Sequence, residues 1–206
     1  MDSMSVEPVA RLPQDLHIHT VYSTGDSAVR PEQTVELVSR IRHADVLGVS
    51  DHFEYILGET FERYSRDLRS HELYVGTEVD GWQWVERAVE TPVDYYVYHC
   101  RDTAADYSGA ERLADTGRPV IIAHPLVFPT DLDRVPEVCL VEINNRYIWR
   151  SDWRRLSPYV ERFRFVIGSD AHQPNWLGQN VARTVAAELG IEETVLFGET
   201  VLSRSR

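Results

Sequence analysis

The chain of 206 residues contains no lysine, since all 21 of its basic residues are arginine. That absence excludes a Schiff-base lysine and the carbamylated lysine that bridges ions in some metal hydrolases, so a bridging ligand must be Asp or Glu. Cysteine is almost as scarce. Cys100 and Cys139 are the two present, without CxxC spacing, which signals neither a disulfide framework nor a thiolate zinc site. No apolar run has the length needed to cross a bilayer. The opening MDSMSVEPVARLPQ lacks the basic and apolar regions of an export signal, so no membrane association is expected and the cytoplasm is the expected location. Runs of basic residues are missing too, and with a net charge of -12 the chain is not expected to carry an extended nucleic-acid surface. A small anionic substrate would instead need cations placed locally, which divalent metal ions can supply.

What is present points to an ordinary folded domain. Hydrophobic residues make up 43% of the sequence, enough for one substantial core at this length, and a loose tail is expected only before Asp15. Residues 1–14 are therefore read as a tail and 15–206 as one domain. Short apolar runs alternate with longer amphipathic ones, the pattern of βα units around a largely parallel sheet. Strands are expected at Asp15–Thr20, Asp45–Ser50, Leu73–Val79, Val93–Tyr98, Pro119–Ala123, Cys139–Ile143 and Phe163–Gly168. Helices are expected at Pro31–Arg42, with Pro at its first position, and at Glu59–Arg69, Ala104–Thr116, Asp152–Glu161 and Gly178–Leu189. The closing segment Ile191–Arg206 reads equally as a short helix or a strand edge.

The eight histidines are not scattered evenly. His17, His19, His52, His99, His124 and His172 fall at or just beyond the carboxyl ends of expected strands, where βα folds gather their active sites. His43 and His71 precede strands. Asp15, His17 and His19 alternate along one strand, which predicts that all three share a face while Leu16 and Ile18 take the other. GSDAH repeats the pattern with Asp170 and His172. Glu78 in GTEVD is positioned to bridge two ions with its two oxygens, and His99 and His124 follow the next strands. The backbone at His124 is expected to be extended because proline follows it. Asp26, in the loop STGDS, is a further candidate ligand. Asp51 is expected to orient a neighbour or cap a loop rather than bind metal. This mixed nitrogen and oxygen set suits zinc, manganese or iron.

Taken in order, DLHIHT, GVSDH, GTEVD, the strand-end HC, IIAHP, VEINN and GSDAH resemble the motifs of the polymerase-and-histidinol-phosphatase (PHP) family of phosphoesterases, over Asp15 to His172, and GIEETV is similar to its ending. The resemblance implies a distorted (β/α)7 TIM-like barrel with a metal centre at its carboxyl face. It implies one ion held by His17, His19 and Asp170, shared through Glu78 with a second bound by His99 and His124. A third would be held by Asp26, His52 and His172. STGDS departs from many members, placing Asp26 one position later.

The expected function is therefore hydrolysis of phosphate esters with two or three divalent ions (Zn, Mn or Fe), through a metal-bridging hydroxide attacking phosphorus in line. Glu78 and Asp170 are the expected catalytic carboxylates. Arg146 is the first candidate for a phosphate clamp, with Arg101 and Arg183 behind it. Asn144 shares a face with Glu142 and is a candidate substrate contact, while Tyr55, Trp82, Trp84 and Trp176 are expected near the mouth. The substrate is expected to be a small phosphorylated compound or nucleotide. Two alternatives stand beside this reading: an amidohydrolase-like attack on a carbon centre, and a catalytically silent metal-binding domain. The sequence does not specify an oligomeric state.

Overall fold

In the computed structural model, residues 11–198 are described. Seven parallel strands follow one another in a single sheet: β1 Leu12–Asp15, β2 Ala44–Val49, β3 Tyr74–Val79, β4 Tyr95–Tyr98, β5 Val120–Ile122, β6 Leu140–Asn144 and β7 Arg164–Gly168. Just past the last paired strands, Ile18 bridges Ala171 in parallel, so the sheet curls into a nearly closed barrel. Helices α1 Val35–Ile41, α2 Glu59–Ser70, α3 Val85–Val89 and α4 Ala104–Ala114 connect the first five strands, and α5 Asn180–Leu189 follows β7. The chain is a distorted seven-stranded (β/α) barrel, as the sequence led us to expect.

Two layers of apolar packing hold it. Inside the barrel, Leu16, Val46, Tyr95, Val97, Ile121, Leu140 and Val166 form a small core. Tyr95 fills much of that space and its hydroxyl donates to the Leu16 carbonyl at 2.7 Å. Gly48 and Gly76 make room for it, because a Cβ on either would come within 2.5 Å of the Tyr95 side chain. Outside the strands, a larger core packs the helices against the sheet, with Val35, Val38, Tyr64, Leu68, Leu113 and Ile143 among its members.

Where strands splay, side chains satisfy the backbone. The Gln179 amide donates to the carbonyls of Gln14 and Ile167, each at 2.9 Å, across the gap between β1 and β7. The Tyr64 hydroxyl stands between β2 and β3, its single proton shared between the Val49 and Gly76 carbonyls at 2.8 and 2.9 Å. Buried carbonyls would otherwise lose their solvation without replacement.

Several expectations need correction. The first strand begins at Leu12, so Leu12–Gln14 belongs to the barrel and not to a tail, while residues 1–10 lie outside the described residues. It ends at Asp15, before both histidines. Strict alternation breaks there: Leu16 packs inside the barrel, and Asp15 turns to the β1/β7 seam, accepting from the Ser169 N–H at 3.1 Å with its other oxygen 2.8 Å from His43 Nε2. Helix α1 starts at Val35, not Pro31, because the Thr34 hydroxyl accepts from Leu37 N and caps it. The stretch before it is occupied elsewhere, with the Gln33 carbonyl accepting from Val21 N at 3.0 Å. Asp152–Glu161 is a 3-10 segment over Trp153–Tyr159 rather than an α-helix, and Pro158 within it has no N–H to offer a helical ladder. Helix α3 was not anticipated. The closing segment resolves toward the strand edge: Glu193 bridges Phe165, and Phe197 stacks on Tyr74 beneath the barrel. Residues 199–206 lie outside the described residues. No described helix is long and apolar enough to cross a membrane.

Candidate metal centre

Because all seven strands run the same way, their carboxyl ends open onto one mouth, and the nine expected ligands meet there. Glu78, near the end of β3, is their centre. Its Oε1 lies 2.6 Å from His99 Nε2, 3.2 Å from His17 Nε2 and 3.5 Å from His124 Nε2. Its Oε2 lies 3.2 Å from His19 Nε2 and 3.1 Å from His52 Nδ1. Asp170 Oδ1 faces His172 Nδ1 at 3.2 Å and His19 Nε2 at 3.7 Å. Asp26 Oδ2 closes the rim, 2.8 Å from His172 Nε2 and 3.4 Å from His52 Nε2.

These residues form three overlapping groups whose ligand atoms can surround an ion: His17, His19 and Asp170; His17, Glu78 and His124; and His19, His52 and His172. The donor set fits divalent metal. Nε2 atoms of His17 and His19 face each other at 3.2 Å, and those of His99 and His124 at 3.1 Å, so lone pairs converge where a proton can serve only one of each pair. Glu78 Oε1 and His52 Nδ1 are buried without an aligned hydrogen-bond partner despite these short approaches. Cations among them would satisfy all of these atoms at once.

The surrounding side chains orient the ligands. Glu142 Oε1 lies 2.7 Å from His17 Nδ1, and its Oε2 accepts from the His124 backbone N–H at 2.8 Å and from Asn144 Nδ2 at 3.0 Å. Asp80 Oδ1 lies 2.9 Å from His99 Nδ1 and is held by Arg101. Carboxylates behind imidazoles fix the ring tautomer and orientation that metal binding needs. Asp51 caps the loop after His19 by accepting from Thr20 N, Thr20 Oγ1 and Ser23 Oγ at 2.6–2.7 Å. Burial pushes its carboxyl up to about 6, against those bonds.

Two of the candidate ligands stand on left-handed backbone, His124 with φ 25° and Asp170 with φ 53°. The extended backbone expected at His124 is thus overturned: turning it aims its N–H at Glu142, which outweighs the preference imposed by Pro125. The Asp170 N–H donates to the His17 carbonyl at 2.8 Å, tying the last strand end to the first.

Electrostatics keep the carboxylates ionised. Burial opposes charge on Glu78, but the surrounding imidazoles, His99 foremost, hold its carboxyl well below the usual range. Asp170 is likewise held low, burial being outweighed by His17 and by its bond to His172. Burial also opposes charge on His52 and His99, yet Glu78, with Asp26 and Asp80 respectively, raises both to about 9. His19 goes the other way, to about 3, through burial and the unfavourable proximity of the His172 and His52 imidazoles.

Arg146 reaches the site as expected. Its Nη1 lies 3.3 Å from Asp170 Oδ1 and 3.1 Å from His172 Nε2. Arg101 stands behind Asp80, above Phe128. Arg183 does not take part: it bonds Gln179 and Glu193, and Glu193 bridges the start of β7 at the opposite end of the barrel. Tyr55 and Trp176 do reach the rim, against His52 and His172, whereas Trp84 packs on Phe53 and Trp82 is exposed. His43 and His71 are outside the cluster, as their positions before strands implied. Asn144 donates to Asp170 Oδ2 at 3.2 Å and so braces a ligand. Sequence reasoning missed Glu142 and Asp80 as braces. Their signals were present, Glu142 two residues before Asn144 in VEINN and Asp80 directly after GTEV.

This geometry defines a (β/α) barrel with a histidine and carboxylate cluster that can bind metal. Comparison with solved structures agrees on the fold. The chain is similar to a truncated 3-deoxy-D-arabino-heptulosonate 7-phosphate synthase from Thermotoga maritima, at 10% identity and TM-score 0.50, covering 86% of this chain and 72% of that one. It is also similar to a D-allulose 3-epimerase from Methylomonas sp., at 12% identity and TM-score 0.53, covering 89% and 84%. No family model and no curated protein matches the sequence.

Proposed function

We propose that this chain is a metal-dependent hydrolase of phosphate esters, akin to the PHP phosphoesterases its motifs resemble. The observation that carries this reading is the buried Glu78 carboxylate faced by five imidazoles, with the Arg146 guanidinium at the edge of the same cluster. Divalent cations bound there supply Lewis acidity and neutralise charge on phosphoryl oxygens.

The protein's own residues do the rest. His17, His19, Glu78, His99, His124 and Asp170 hold the inner positions, and Asp26, His52 and His172 hold the outer one. Glu142 and Asp80 keep the imidazoles of His17 and His99 aimed inward. Arg146 presents a planar fork at the boundary between ligands and mouth, where it can orient a phosphate and spread its charge. Asp170, kept ionised, places a proton-accepting oxygen beside that fork. Seated over the apolar barrel core, these charges interact more strongly than they would in water.

A panel of phosphomonoesters, phosphodiesters and amides, assayed with manganese or zinc, tests the proposal. Phosphate or alcohol release that disappears in Glu78→Gln is the expected result. Hydrolysis confined to amides would instead establish attack at carbon, and a metal-loaded protein inactive on the whole panel would leave the silent binding domain.

A further inference from the structure

Two surfaces on opposite sides of the barrel complement each other. The first is a groove of about 840 Å³ between the start of α2 and the turn that leads into β4. Phe53, Ile56, Leu57 and Phe61 line it with apolar side chains. Glu59, Glu62 and Glu90 add three carboxylates against the single cation of Arg66. Those glutamates are exposed and, among the described residues, none forms an ion pair. An apolar trough edged by unpaired negative charge suits an occupant that brings a ring and a cation.

The second surface follows β6. Residues 146–155 contain four arginines against one aspartate, in a protein with net charge -12. Trp149 is 65% exposed, yet its indole N–H donates to the Arg146 carbonyl at 2.9 Å, which fixes the ring in that outward position. Arg150 lies over Tyr147 and Trp149, at 5.0 and 5.2 Å, and Arg154 over Trp153 at 4.3 Å. Among the described residues neither arginine pairs with a carboxylate, whereas the exposed Arg40, Arg112 and Arg134 each do. Packing within this chain accounts for neither a displayed indole nor guanidinium groups left without a counter-charge.

We infer that residues 149–155 of one copy seat in the α2 groove of a second copy. Trp149 supplies the ring for the apolar floor, as tryptophan does at the buried centres of many interfaces, and Arg150 and Arg154 meet Glu59, Glu62 and Glu90. Those pairs also offset the repulsion between two copies of an acidic chain. Helix α2 lies between β2 and β3, and the donor segment lies between β6 and β7, across a barrel whose strands run in order from β1 to β7. Surfaces so placed do not join two copies reciprocally. The contact therefore runs head to tail and continues into a ring or a filament. Neither surface contains a candidate metal ligand, so the contact stands apart from the hydrolase reading above.

Sedimentation equilibrium on the full-length protein, between about 5 and 200 µM, tests the contact, since weak self-association falls in that span. The weight-average mass rises with concentration past that of two chains, and rises less at high salt. The row variant Trp149→Ala/Arg150→Gln and the groove variant Glu59→Arg/Glu62→Arg each weaken association at least about tenfold. Mixed together, they form a 1:1 pair and nothing larger, because one keeps only an intact groove and the other only an intact row. All four positions are exposed, and formation of the pair itself reports that both partners are folded. A wild-type chain that stays single over the whole range leaves both surfaces to other partners and overturns the inference. Variants that associate like the wild type, or a mixture that forms no pair, overturn it equally.

Discussion

The inner and outer parts of the histidine and carboxylate cluster are built differently. Glu78 and Asp170 sit in the barrel mouth, 2% exposed each, at the ends of β3 and β7 and braced by Asn144 and the ring of imidazoles. Asp26 and His52 at the rim are 21% and 18% exposed, and Asp26 hangs on a loop. That loop is secured from beneath by Asp51 and from above by Tyr55, whose ring packs so closely over Gly25 that a Cβ there would collide with it. Rigid strands thus fix the inner ligands, while side-chain contacts fix the outer one. Strand-borne ligands should consequently be the harder to replace.

The largest expected effect comes from breaking the inner part. Glu78→Gln keeps the shape but removes the charge shared by five imidazoles, and should lower turnover by at least about a thousandfold while reducing bound metal by more than one ion per chain. Rate assays with elemental analysis check both. Asp26→Asn should remove about one ion and retain more activity than Glu78→Gln. Equal losses in the two variants would erase the distinction between inner and outer parts.

A smaller effect is expected one layer back. Asp80→Asn and Glu142→Gln leave every ligand in place but loosen His99 and His17, and should cost about 10- to 100-fold in metal affinity. Competition with a chelator measures this.

The pH dependence sharpens the same comparison. His52 and His99 are raised to about 9 in the metal-free protein, above an unfolded value near 6.5, so their protonation stabilises that form fully below about 6.5. This contribution disappears as pH rises through about 9. Metal must displace the same protons, so apparent affinity should climb over that window while metal-free thermal stability falls. Melting curves with and without metal should therefore separate progressively from pH 6.5 to 9. Curves that stay parallel would show that these imidazoles are already neutral.

Away from the site, Gln179→Ala should strand the Gln14 and Ile167 carbonyls at the barrel seam and cost about 1–3 kcal/mol in urea unfolding.

Much of this arrangement was legible in the sequence, because histidines clustered after apolar runs report directly on where a parallel sheet opens. The mouth and the six histidines gathered there follow from that one regularity, while Asp26, Glu78 and Asp170 were read from STGDS, GTEVD and GSDAH. What was hidden depends on contacts between distant residues. The break in alternation between Leu16 and His17 arises from Asp15 capping the Ser169 N–H across the seam. The backbone at His124 obeys Glu142 rather than Pro125. Arg183 read as a cation near a strand end, and only the fold pairs it with Glu193 at the other end of the barrel. The start of α5, expected at Gly178 and found at Asn180, failed for a similar reason, as this helix takes its cap from Asn145, whose Oδ1 accepts from Val181 N and Ala182 N.

The most direct test of the account is anomalous scattering from crystals equilibrated with manganese or zinc. It predicts at least two peaks flanking the Glu78 carboxylate, with oxygen and nitrogen ligands at about 2.0–2.2 Å for zinc. Peaks bound elsewhere, or a cluster that stays free of metal at saturating concentration, would contradict it.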